Sequence, residues 1–147
     1  VAYKIPESVL VIVHTPDLQV LLMERADHPG YWQSVTGSKH TVDEPLELTA
    51  ARELAEETGL DANQYRLKNW HKQYTFEIFQ HWRSRFAPGV THNLEHVFSL
   101  EVPAPLPIRL APREHVQLVW LPWQAAAEKT FSWSNAEAIR ELPRRVS

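Results

Sequence analysis

The sequence predicts an α+β domain, with α/β layering as the alternative. Three observations predict it. Short β-branched runs recur along the chain, a long helix with both ends marked interrupts them, and a second helical pattern lies near the C-terminus. With 147 residues, the chain is expected to form one domain, 1–147, around one core.

The elements follow in order. Residues 8–14 (SVLVIVH) read as a buried strand, Thr15-Pro16-Asp17 as a turn, and residues 19–25 (QVLLMER) as the second strand of a hairpin. The loop Asp27-His28-Pro29-Gly30 leads to Tyr31-Trp32-Gln33-Ser34-Val35-Thr36-Gly37. The clearest helix comes next. Asp43 or Glu44 is expected to cap it, Pro45 to take its first helical position, and Gly59 to end it. Leu46, Ala50, Leu54 and Ala51 supply a narrow apolar stripe. Later strands are predicted at 65–70, 74–79, 95–101 and 116–121. Four prolines between Pro103 and Pro112 predict an irregular connection. Residues 134–142 (SNAEAIREL) predict a short helix capped by Ser134, with Glu137 three residues on.

Composition narrows the function. The net charge of −3 supplies no basic field for nucleic acid. No apolar run reaches membrane-spanning length, and Val1-Ala2-Tyr3-Lys4 carries no signal-peptide pattern. The absence of Cys excludes disulfides, thiolate metal sites and a Cys nucleophile, and fits the expected cytoplasmic location. Six Trp suggest broad aromatic surfaces, some shaped for a planar ligand. Taken singly, Trp32, Phe76 and Trp133 are expected in the core.

The chemistry concentrates in Arg52-Glu53-Leu54-Ala55-Glu56-Glu57-Thr58-Gly59-Leu60. Glu53 and Glu57 are four apart and share a helix face, which Glu56 flanks. Three carboxylates this close repel one another unless a cation sits among them. Hard oxygen ligands suit Mg²⁺, with Mn²⁺ as the alternative. Arg52 can pair with Glu56 or orient a ligand. The bland alternative is a solvated face of ordinary Glu/Arg pairs.

Gly37, Glu44, Arg52, Glu53, Leu54, Glu56, Glu57, Gly59 and Leu60 together resemble the signature of the Nudix hydrolases. That signature has five residues between its first Gly and its first Glu, whereas six separate Gly37 from Glu44. Asp43 holds the five-spaced position, but only Glu44 keeps the seven-residue spacing to Arg52, so a one-residue insertion is read in the loop 38–43. The resemblance implies an α/β/α sandwich with a mixed sheet and a divalent metal on the helix. It also implies hydrolysis of a diphosphate linkage. Glu53 and Glu57 are the first choices as metal ligands, with Glu56 next. Glu114, just before an apolar strand, is the expected carboxylate from outside the signature. The catalytic set is Glu53, Glu56, Glu57 and Arg52, with the general base unassigned.

Within that family, the runs 31–38 (YWQSVTGS), 76–79 (FEIF), 83–91 (RSRFAPGVT), Glu114-His115 and 132–135 (SWSN) resemble the bacterial dihydroneopterin triphosphate pyrophosphohydrolases, also described as dATP pyrophosphohydrolases. This likeness implies substrate contacts at Lys4, Arg25, Thr36, Phe76, Glu77, Ile78 and Ser132. The expected partner is a small triphosphate, neither nucleic acid nor membrane. Arg25 could instead be an exposed strand-end charge. Arg83 and Arg85 would share a strand face if Trp82 points inward, or else be solvated. His81, His92 and His115 fit surface or packed positions, since no His pair has zinc spacing. Two rival functions stay open: a nucleotide hydrolase acting mainly on dATP, and a Nudix-fold binding module without catalysis. Retention of all three Glu argues against the second. An RNA 5′-end hydrolase is weaker still, given the acidic charge.

Overall fold

The computed structural model describes residues 2–146; Val1 and Ser147, the ends of the expected 1–147 span, lie outside the described residues. Strand β1 (Glu7–His14) is buried along almost its whole length, as a strand covered on both faces must be. It runs parallel to β6 (His92–Glu101) on one side. On the other side it pairs antiparallel with β4 (Val35–Ser38) from Ser8 to Val11, and with β2 (Gln19–Arg25) only at His14 opposite Val20. β7 (His115–Pro122) pairs along the whole of β2, and β3 (Trp32–Gln33) pairs with Met23 and Glu24. β5 (Arg66–Glu77) lies antiparallel beside β6. The result is a mixed sheet of seven strands among the described residues.

Because β7 occupies one edge of β2, β1 and β3 must share the other. β1 and β2 therefore diverge from their contact at His14, and the chain fills the wedge by stepping from β3 to β4 at Ser34. Asn135 bonds that step twice: the Ser34 amide donates to its Oδ1 at 2.9 Å, and its Nδ2 donates to Ser34 Oγ at 3.0 Å.

Alternation along β1 divides the core. Val9, Val11 and Val13 meet Ala50 and Leu54 of helix α1 (Leu46–Thr58), with Phe98 and Leu100 of β6. Leu10 and Ile12 meet Ala126 of α2 (Trp123–Lys129) and Ala138, Ile139 and Leu142 of α3 (Trp133–Arg145). One helix covers one face and two cover the other, so the expected α/β/α sandwich with a mixed sheet is present.

Several elements differ from expectation. Pro45 stands one place before the helix in extended backbone, and no side chain caps the first turn. The expected caps are engaged elsewhere: Asp43 accepts from Thr41, and Glu44 reaches forward to Arg52. Gly59 does end α1 at φ 76°, a left-handed conformation free of Cβ strain, and its amide donates to Ala55 O. Ala51 is only half-buried, and Glu53 and Glu57 share the buried face instead. The two strands expected at 65–70 and 74–79 form one strand, β5, which bulges where His71 adopts φ 54°. Phe79 falls beyond it. Arg83 and Arg85 lie in a short 3-10 turn, not on a strand. α2 was not foreseen; its seven residues carry too little periodicity. α3 starts at Trp133, and Ser134 turns inward to bond Glu95 instead of capping. Trp32 packs against the α2/α3 core, as expected. Phe76 and Trp133 instead line a cavity, and Trp133 is 54% exposed.

Leu54 is fully buried between Glu53 and Glu57 of α1. Leu54→Ala is expected to cost about 2–5 kcal/mol, the range for a buried Leu whose site cannot collapse. Urea denaturation measures it, and a loss well below that range would mean that α1 is held mainly by its polar contacts.

Candidate active site

α1 lays its carboxylates against the sheet. Glu53 and Glu57 face inward, with 8% and 1% exposure, while Glu56 stays at the rim. Gly37 in β4 makes this approach possible, because any Cβ there would overlap the Glu53 carboxylate. Arg52 fixes the other side. It donates to Glu53 Oε2 at 2.7 Å, to Glu44 Oε1 at 2.9 Å and to Ser38 O at 3.2 Å. Glu44 also accepts from the His40 amide and Thr49 Oγ1. Glu44, the residue that keeps the spacing to Arg52, is thus held both from the loop 38–43 and from α1. Arg52 lines neither of the cavities described below; it positions Glu53.

Electrostatics show the strain of this arrangement. Burial raises Glu57 well above the ordinary carboxylate value, and the neighbouring Glu53 and Glu114 add to it. Burial also raises Glu53, with Glu56 contributing, against hydrogen bonds to Glu57 and Arg52. Glu57 Oε1 is buried without any hydrogen-bond partner. It lies with Glu114 and His115 in a group whose ligand atoms fall within 4.8 Å of one another. A buried carboxylate oxygen without a donor is what a divalent cation would satisfy, so the residues present fit such an ion.

His115 has a different part. Arg25 only donates, so its 3.3 Å bond turns Gln33 Oε1 toward it and the Gln33 amide nitrogen toward His115 Nε2 at 3.1 Å. Neutral His115 then carries its hydrogen on Nδ1, which faces Glu57 Oε1 across 3.9 Å. Burial, then the charge of Arg25, lowers His115 to about 4 and keeps it neutral. At that distance no hydrogen bond forms, and Nδ1, like Glu57 Oε1, is buried without a partner.

Two cavities meet here. One, about 500 Å³, holds Glu53, Glu56, Glu57, Glu114 and His115. The other, about 280 Å³, lies by the α3 face and is walled by Leu10, Phe76, Phe79, Phe131 and Trp133. Lys4, Arg25, Gln33, Thr36 and Arg85 line both, at the wedge where β1 and β2 part. Arg25 is not a stray strand-end charge. It pairs with Asp27 at 2.8 Å and lies 4.3 Å over the Trp82 ring. Asp27 also holds Arg85 at 2.9 Å. Partial desolvation in the cleft, then the charges of Arg85 and Arg25, lowers Lys4 below the ordinary lysine value. Three cations held this close suit a polyanion.

The structure thus brings Lys4, Arg25, Thr36, Phe76, Glu77, Ile78 and Ser132 around the smaller cavity, and the four glutamates around the larger. Glu77 is also paired with Arg83. Gln33, Trp82, Asn93, Glu95 and Phe131 were missed. Asn93 and Glu95 did leave a signal: polar residues at alternate positions of β6, on the face that continues into buried Val97.

The NUDIX domain model matches residues 4–142. The chain belongs to the NUDIX family. This Nudix domain is 43% identical over 143 residues to the dihydroneopterin triphosphate diphosphatase of Escherichia coli K12, covering 95% of this chain and 93% of that one. It is 42% identical over 142 residues to the enzyme of that name from Haemophilus influenzae, covering 95% and 88%. The solved E. coli dihydroneopterin triphosphate pyrophosphohydrolase superposes with a TM-score of 0.89, at 42% identity and over 96% of this chain and 97% of that one. A Listeria monocytogenes Nudix hydrolase shares the fold, with a TM-score of 0.78 at 24% identity, over 97% and 94% of the two chains.

Two variants probe the Nudix carboxylate cradle. Gly37→Ala should push the Glu53 carboxylate out of place at a cost of about 1–3 kcal/mol, as overpacking does. Thermal melting would show a folded protein, and turnover should fall steeply; unchanged turnover would mean that the Glu53 position is dispensable. Glu44 is held down to about 2, chiefly by its hydrogen bond from Arg52. Its folded value lies below its ordinary one, so its stabilisation is present above about pH 4.5 and is lost as the pH falls through about 2. Glu44→Gln should therefore be less stable than wild type at pH 7, with the gap closing in acid. A gap independent of pH would contradict the pairing.

Proposed function

We propose that this enzyme hydrolyses dihydroneopterin triphosphate to dihydroneopterin monophosphate and pyrophosphate, in folate biosynthesis in the cytoplasm, as a single domain acting on a small triphosphate. One observation carries the reading: a cavity walled by aromatic side chains joins, through a cationic passage, a cluster of buried carboxylates. The relatives' names support the choice of substrate.

Glu53, Glu57 and Glu114 would hold Mg²⁺, or Mn²⁺, with Glu56 at the rim. The ion supplies charge neutralisation at phosphate oxygens and a lowered pKa for water. Arg52 keeps Glu53 in place. His115 would stay neutral, with its Nδ1–H facing Glu57. Lys4, Arg25 and Arg85 would draw the phosphate chain into the passage, so that water meets the α-phosphorus and pyrophosphate leaves. Thr36 lines the passage itself. Phe76, Ile78, Glu77 and Ser132 would enclose the ring. Glu56, exposed at the rim, would take the water's proton.

The second reading is a nucleotide hydrolase with dATP as its main substrate, since adenine is also planar. Purified protein with Mg²⁺, given each triphosphate separately, decides between them when pyrophosphate and phosphate are measured apart. The pterin should have the higher kcat/KM and release pyrophosphate in one step. Two successive phosphates, or dATP well ahead, would overturn the proposal. Glu57→Gln should lower the rate roughly a hundredfold or more, since a metal site contributes several kcal/mol. Mg²⁺ should raise the melting temperature of wild type more than that of the variant.

A further inference from the structure

Glu95 is a charge-capable group that the hydrolysis itself does not use. It sits on β6 with 4% exposure, between Ser8 of β1 and Tyr74 of β5, and forms part of the floor of the smaller cavity. Ser134 Oγ donates to its Oε1 at 2.8 Å, and Ser132 Oγ lies 3.0 Å from Ser134 Oγ. Ser134 is the only hydrogen-bond partner of Glu95 among the described residues. Its other neighbour on the floor, Asn93, is turned to Ser8, to which its amide donates at 2.8 Å. The other carboxylate of the lining, Glu77, is exposed and paired with Arg83, which leaves Glu95 as the buried carboxylate facing a bound ring.

A buried carboxylate without full hydrogen bonding is costly, and a ligand that brings donors removes that cost. Burial pushes Glu95 up to about 7, against the Ser134 bond. Two adjacent N–H donors on a ring edge would hold it ionised. A 2-amino-4-oxo ring offers them: a ring N–H and an exocyclic amino group, side by side. Adenine presents a ring nitrogen lone pair at the corresponding place, which repels a carboxylate. We propose that Glu95 is the specificity-determining residue of the ring cavity, accepting hydrogen bonds from the 2-amino-4-oxo edge and selecting such rings over adenine. This rests on the proposed function in that the smaller cavity is taken to hold the ring of a triphosphate.

The test measures kcat and KM for dihydroneopterin triphosphate, dGTP, dITP and dATP with wild type, Glu95→Gln and Glu95→Asp. dITP is dGTP without the 2-amino group, so it removes one donor from the substrate instead of the acceptor from the protein. Wild type should favour dGTP over dITP by about tenfold or more, the scale of one charge-assisted hydrogen bond. In Glu95→Gln that ratio should fall toward one, through KM more than kcat, while dATP is used as well or better. Gln keeps the size and can still accept from Ser134, and a melting scan checks the fold. Glu95→Asp keeps the charge and should retain part of the preference. Equal use of dGTP and dITP by wild type overturns the proposal without any variant, as does an unchanged ratio in folded Glu95→Gln. If dATP outruns the pterin in wild type, the function proposed above fails, whereas the dGTP-to-dITP comparison still decides Glu95.

Discussion

Two carboxylates must be buried one helical turn apart, and much of the molecule answers to that demand. Glu53 and Glu57 repel each other and are both withdrawn from water. Left alone, the helix would turn that face outward. Leu54 and Ala50 anchor the same face in the core and prevent it. Gly37 removes the side chain that would otherwise block Glu53, and Arg52 returns a positive charge at 2.7 Å. Glu44 then restrains Arg52, which has four carbonyl or carboxylate groups within reach and would otherwise choose among them. The residues of the Nudix signature are thus one mechanical unit, in which each member limits the freedom of the next.

The divided sheet gives that unit access to a ligand. In an unbroken sheet, the α1 face and the α3 face would be sealed from each other. Here β1 and β2 touch at one residue pair and part, so side chains at the wedge belong to both faces. The cationic passage occupies the gap. Asn135 holds the wedge open from the α3 side with two hydrogen bonds to Ser34, so the C-terminal helix supports both the ring cavity and the strand step that leads to Gly37.

The sequence made the parts governed by local chemistry legible. The β-branched run of β1, the extent of β2 and the Gly that ends α1 follow from propensity and backbone sterics, and their bounds fall within a residue or so of expectation, but of the expected hairpin only the His14–Val20 pair forms. The glutamates of α1 were legible because helical spacing is rigid. Residues brought in by tertiary structure were not. Trp82 and Phe131 lie far apart in the chain and meet only because the loop after β5 folds over the end of β2. Trp133 was expected inside because large aromatics usually are, yet it stands at the mouth of a cavity, edge-on to Tyr74. α2 was hidden by its brevity, and the joining of two expected strands into β5 by a bulge that no turn residue announces.

That bulge has a consequence for how this edge of the protein can change length. From Asn69 to Gln73, β5 advances four residues while its partner advances two, from Phe98 to His96. The pairing with β6 resumes at Gln73, so Trp70 and Tyr74 pack on the same side of the sheet, and Phe76 continues to the cavity. A one-residue slip of that pairing, so that Thr75 or Glu77 stood opposite Asn93, would place Thr75 and Glu77 against the ring and Phe76 outside. A bulge can take up extra residues while the pairing beyond it, and with it the cavity wall, stays as it is.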